Sequence, residues 1–203
     1  MDVNEAHKDL AFLKGLVNEG PKTQRSAGEL FLVGGVAYGL QCLLNAAPII
    51  LKLEWPSLAY LVIGIVPTVV FVGWIIWLMW RNRHDKVHGV ATRAMNAAFS
   101  SAGLANLSMC VAIGWVSITE KNFLIWLLYP AVVAALQGAC WYVAYMIRKK
   151  LWLAAVSAGW FVTSMALGFL IRDTGSYLLV FAAAMFILMA APGYVMMQQS
   201  KAD

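Results

Sequence analysis

The sequence predicts an all-α integral membrane bundle of six transmembrane helices, arranged as three antiparallel hairpins behind an N-terminal amphipathic cytosolic helix. Three observations predict it. Of the 203 residues, 62% are hydrophobic and only 12% charged, whereas soluble domains carry about 25% charge. Six apolar runs recur, at about 27–47, 56–80, 94–118, 122–147, 151–171 and 177–197. Each suffices for a helix to cross about 30 Å of hydrocarbon. Finally, Lys and Arg crowd into every second connection. No strand-like alternation offers a β-barrel instead.

Residues 1–25 read as a cytosolic amphipathic helix and linker. Val3, Ala6, Leu10, Leu13 and Val17 recur at steps of 3, 4, 3 and 4, which is one helical stripe. Gly20-Pro21 should stop it, because proline cannot continue the hydrogen-bond ladder. Asp2, Glu5, Asp9 and Glu19 outweigh Lys8 and Lys14. A helix built for an anionic leaflet is usually basic. The stripe therefore points to protein: its own bundle, a second copy or a partner helix. The mixed charges and late apolar onset argue against a cleavable signal peptide.

The transmembrane domain spans 26–198, with a short tail at 199–203. In span 1, Glu29 is the one acid close to a span interior, and intramembrane ionisable groups are functional candidates. Its structural reading is an i, i+4 pair with Arg25 or a favourable place near a helix N-terminus. Gln41 follows at mid-span, with Asn45 one turn on. Gly35-x-x-x-Gly39 forms a small-residue face that seats a helix of the same chain or of a second one. Thr68 marks the middle of span 2 beside Pro67, which frees a backbone carbonyl there. Asn106 (span 3), Gln137 (span 4), and Thr163 with Ser164 (span 5) lie near the same depth. Such groups need partners in hydrocarbon. They either bond helix to helix or, together with Glu29, Gln41 and Thr68, line a polar path.

The loop at 81–93 carries His84 and His88 at i and i+4, with Asp85 beside them. The surrounding basic residues oppose a divalent cation, so no metal site is assigned. Cys42, Cys110 and Cys140 sit inside apolar runs, read as buried hydrophobes. Ser-Ala-Gly occurs at 26–28, 101–103 and 157–159, and Pro67, Pro130 and Pro192 fall in the even spans. A triplicated hairpin and chance recurrence of small residues both account for this.

The net charge of +5 is an orientation signal. Lys8, Lys14, Lys22, Arg25, Arg81, Arg83, Lys86, Arg93, Arg148, Lys149, Lys150 and Lys201 fall on one side; Lys52, Lys121 and Arg172 fall on the other. The positive-inside rule then places both termini in the cytoplasm of an inner-membrane protein. Trp55, Tyr60, Tyr129 and Tyr177 are among the aromatics expected at the outer boundary.

The chain shows no Walker, nucleophile-elbow, zincin or Rossmann motif. No catalytic residue, cofactor or metal is assigned, and nucleic acid is excluded as a partner. The reading is a non-enzymatic regulatory, sensory or accessory membrane protein. Its expected partners are the lipid bilayer and either another protein or a second copy, engaged through the N-terminal helix. The alternative is a small-solute permease or exporter that uses Glu29, Gln41, Thr68, Asn106, Gln137 and Ser164.

Overall fold

Apolar runs of this length leave the backbone one economical choice in a bilayer, since a helix satisfies its own N–H and C=O groups. The computed structural model describes residues 21–83 and 90–202. Among them there is no strand. The helices are α1 (Pro21–Leu51), α2 (Ser57–Arg81), α3 (Val90–Thr119), α4 (Phe123–Arg148) and α5 (Leu151–Phe169). The last span joins α6 (Thr174–Ala184), a π-helical stretch (Met185–Ala190) and α7 (Ala191–Ala202). Six helical segments are thus long and apolar enough to cross a membrane, and the chain is a multi-pass membrane protein. The stripe Val3, Ala6, Leu10, Leu13 and Val17 lies outside the described residues, as do His84, Asp85 and His88.

Local chemistry sets the helix ends. Helix α1 opens at Pro21, so residues 21–25 are helical where a linker was expected. Proline suits a first turn because its fixed φ is helical and its missing N–H would have no partner there. Asn122 accepts from Leu124 N at 3.0 Å and starts α4. Asp173 Oδ1 accepts from Ser176 N at 3.3 Å and starts α6. Lys52, Lys121 and Lys149 adopt positive φ of 53°, 50° and 56° at three turns. Glycine is the usual residue there. Lysine costs some backbone strain, while its charge complements a helix C-terminus.

Helix α2 packs on α1, α1 on the sixth span, that span on α5, α5 on α4, and α4 on α3. Rings link α3 back to α1: Phe31 lies 5.1 Å from Phe99 and 4.9 Å from Trp141. The buried centre falls among α4, α5 and the sixth span, with Trp141, Trp160, Tyr177, Leu153 and Leu167 all nearly inaccessible. Lipid is as apolar as leucine, so close packing and interhelical hydrogen bonds hold such a bundle.

Both devices are visible. A Cβ on Gly35 would fall 2.5 Å from Ala190 N, and one on Gly39 would fall 2.8 Å from the Phe186 ring. The Gly35-x-x-x-Gly39 face therefore seats the sixth span of the same chain. Three interhelical hydrogen bonds fall within one turn of a proline. Pro192 has no N–H for the carbonyl of Leu188, and Trp160 Nε1 donates to that oxygen at 3.1 Å. Three residues before Pro130, the Leu127 carbonyl takes the Tyr177 hydroxyl at 2.6 Å. Three residues before Pro67, the Gly64 carbonyl takes Gln41 Nε2 at 3.4 Å. Tyr177, one turn into α6, is buried between helices and bonds to Leu127, one turn into α4.

Candidate functional site

Glu29 is 7% exposed, at the end of the bundle where α1 begins. Its Oε1 lies 3.1 Å from Arg25 Nε, and its Oε2 lies 2.8 Å from Arg81 Nη2. Arg81 Nη2 also donates to Ser26 Oγ at 3.3 Å, as does Asn82 Nδ2 at 2.9 Å. The Arg81 guanidinium stands 4.5 Å from the centre of the Trp77 ring. The arrangement ties α2 to α1 by charge. The i, i+4 half of it is readable from spacing. Arg81 arrives from another helix and carries no spacing signal.

The neutral polar candidates do not converge on one cavity. Gln41 is engaged with Gly64, and Asn45 Nδ2 donates to the Gln41 carbonyl at 2.8 Å. Thr68 is exposed on α2. Ser164 Oγ donates to Ala131 O at 2.8 Å, and Ser157 Oγ to Gly138 O at 2.8 Å, fastening α5 to α4. Thr163 Oγ1 returns to its own helix at Gly159 O.

Asn106 and Gln137 differ. The contact of Cys140 with Ala98 and of Gly114 with Trp126 fixes the antiparallel register of α3 and α4. That register sets Asn106 level with Val133, one turn from both Tyr129 and Gln137. Tyr129 lies near Cys110 and Asn106, with Tyr38 of α1 also close. Asn106 Oδ1 and Gln137 Oε1 have no hydrogen-bond partner among the described residues. A mid-bundle polar level therefore exists on α3 and α4. Tyr129, read from sequence as an outer-boundary aromatic, and Tyr38, which carries no sequence signal, lie beside it.

Two hollows lie elsewhere among the described residues, neither lined by Asn106, Gln137 or Tyr129. One is enclosed and measures about 30 Å³, bordered by Phe31, Asn96, Phe99, Trp141 and Arg148; it has room for about one or two water molecules. The other is an open apolar groove of about 590 Å³ between α1 and α2.

The outward faces of α2 and α3 are chemically unlike. On α2, exposure falls on large residues such as Leu58, Leu61, Ile65, Val69, Ile76 and Met79. On α3 it falls on Ala97, Ser100, Ser101, Gly103, Ser108 and Ala112, interleaved with Leu104, Leu107, Met109 and Val111, and on Trp115, Val116 and Ile118 toward the helix end. The Ser100, Ser101 and Ser108 hydroxyls bond carbonyls of their own helix, at 3.2, 2.9 and 3.0 Å. A Cβ on Gly103 would meet nothing within 4 Å. Self-satisfied hydroxyls and small side chains make a shallow surface that another helix can approach closely.

Outside the membrane, the Asp173 carboxyl is held below the usual aspartate range, chiefly by its hydrogen bonds with Ser176. No family model, curated protein or solved structure matches the chain.

Proposed function

We propose that this chain is a non-enzymatic accessory or regulatory protein of the inner membrane that works through protein–protein contact. In this reading the bundle is three antiparallel hairpins with both termini cytoplasmic. The outward face of α3 contacts a transmembrane partner, and the amphipathic segment at residues 2–19 provides a second contact in the cytosol. The observation that carries the reading is the small, hydroxyl-rich face of α3. Lipid gains little from such a surface, while an apposed helix gains close van der Waals contact. Photocrosslinking from Ser101 or Ser108 in native membranes tests it. The expected product is a discrete protein adduct, lost when Gly103 is replaced by leucine and diminished when residues 2–20 are deleted. Adducts to lipid alone contradict it.

A second reading, a small-solute permease or exporter, draws on the unpaired acceptors of Asn106 and Gln137 beside Tyr129. It predicts ligand-induced thermal stabilisation that Asn106→Leu abolishes. Transport unaffected by both Asn106→Leu and Glu29→Gln removes its site.

A further inference from the structure

One turn along α1 beyond the Leu32 end of the groove between α1 and α2 lies the charged cluster of Glu29, Arg25 and Arg81. On α1, Arg25, Glu29, Leu32, Val36 and Leu40 recur at steps of 4, 3, 4 and 4, which is one helix face. On α2, Val66, Val70, Trp77 and Arg81 share a face in the same way. Leu32, Val36, Leu40, Val66 and Val70 line the groove. From residue 32 to residue 44 it runs roughly 18 Å along α1. Its near end lies three residues, about 4.5 Å, from Glu29.

We infer that this face binds one anionic phospholipid from the leaflet on that side of the membrane. An acyl chain lies in the groove, and the phosphate meets Arg25 and Arg81. The walls suit a hydrocarbon chain, being almost wholly aliphatic. The polar wall residue, Gln41, has its amide turned to Gly64 O. The charges suit a phosphate. Among the described residues two guanidiniums face one carboxylate, which leaves one net positive charge. Arg25 retains 54% side-chain exposure and Arg81 35%, so neither is closed off. Trp80, exposed near the end of α2, is the aromatic ring expected at headgroup depth, and exposed Trp77 lies one turn deeper. A neutral partner helix in the groove would leave that charge uncovered.

Native mass spectrometry of the full chain tests the site. The protein is released from micelles doped equally with dioleoyl phosphatidylglycerol and dioleoyl phosphatidylcholine. One phosphatidylglycerol is expected per chain, favoured about fivefold over phosphatidylcholine, the ratio that one lipid-facing cation supports. Arg25→Gln should lower that preference to near unity. Val66→Trp, which fills the groove, should remove the adduct, and Lys150→Gln should leave it unchanged. Equal retention of both lipids by the unaltered protein overturns the inference without recourse to any variant. So does an adduct indifferent to both Arg25→Gln and Val66→Trp. A lipid-independent dimer that Val66→Trp dissolves also overturns it, since a second chain would then occupy the groove.

Discussion

Helices α2 and α3 are both poorly buried, yet they are held differently and offer different surfaces. Helix α2 packs on α1 alone to any substantial extent. Its attachment rests on the Glu29–Arg81 pair, the Gln41–Gly64 bond and the fit of Phe71 against Gly34. Helix α3 leans along α4 and closes on α1 through Phe99. The outward side chains of α2 are mostly large and apolar, with Gly64, Thr68 and Gly73 among them, while α3 alternates small or hydroxylated residues with exposed Leu104, Leu107, Val111, Trp115 and Ile118. In the proposed reading, the small and hydroxylated positions of α3 mark a contact face that exposure alone would not.

Four substitutions sharpen that contrast. The largest effect is expected where a glycine is truly enclosed. Gly35→Leu drives a side chain into the backbone of the sixth span and should cost about 3 kcal/mol, measured by denaturant unfolding in micelles. An effect below about 1 kcal/mol would show that the seam yields. Next is Glu29→Gln, which leaves Arg25 and Arg81 without their carboxylate. Both arginines are partly exposed, so solvent screens the loss to about 1 kcal/mol. Spin-label distances should widen between α1 and α2 and stay fixed between α3 and α4. Equal widening of both would mean that α2 is not tethered by charge.

Trp160→Phe keeps the packing but removes the Nε1 hydrogen bond to the Leu188 carbonyl. A cost near 0.6–1 kcal/mol is expected, in line with other hydrogen bonds between membrane helices. Hydrogen exchange should rise at residues 188–193 and not in α3. The smallest effect concerns Asp173. Its carboxyl titrates lower in the folded chain than in the unfolded one, so its contribution is full above the unfolded value of about 3.9. It is lost as pH falls through the folded value below that. The Tm gap between wild type and Asp173→Asn should close below about pH 4. A gap constant down through that window would remove the role of the ionised cap.

Parts of this architecture are legible along the chain and parts are not, for physical reasons. The number and rough limits of the apolar helices follow from hydropathy, because hydrocarbon thickness sets a minimum length. The π-helical stretch Met185–Ala190 leaves no such trace, since Met-Phe-Ile-Leu-Met-Ala suits either winding. The Gly35-x-x-x-Gly39 face is visible as spacing, but its partner is decided by tertiary packing. Prolines 67, 130 and 192 are visible in the sequence, but the nearby carbonyls of Gly64, Leu127 and Leu188 take donors from other helices, Gln41, Tyr177 and Trp160, which could not be paired from sequence. Glu29 shows its Arg25 neighbour and hides Arg81. Asn106 and Gln137 are visible as polar residues at one depth; Tyr129 and Tyr38 join them only once α1, α3 and α4 are packed.

The matched pair Gly73→Leu and Gly103→Leu tests the central claim most directly. An added Cβ meets nothing within 4 Å at either position, one on α2 and one on α3. Both variants should fold with unchanged Tm. Photocrosslinking of the chain to protein in native membranes should survive Gly73→Leu and be lost with Gly103→Leu. Loss in both, or in neither, would contradict the assignment of α3 as the contact face.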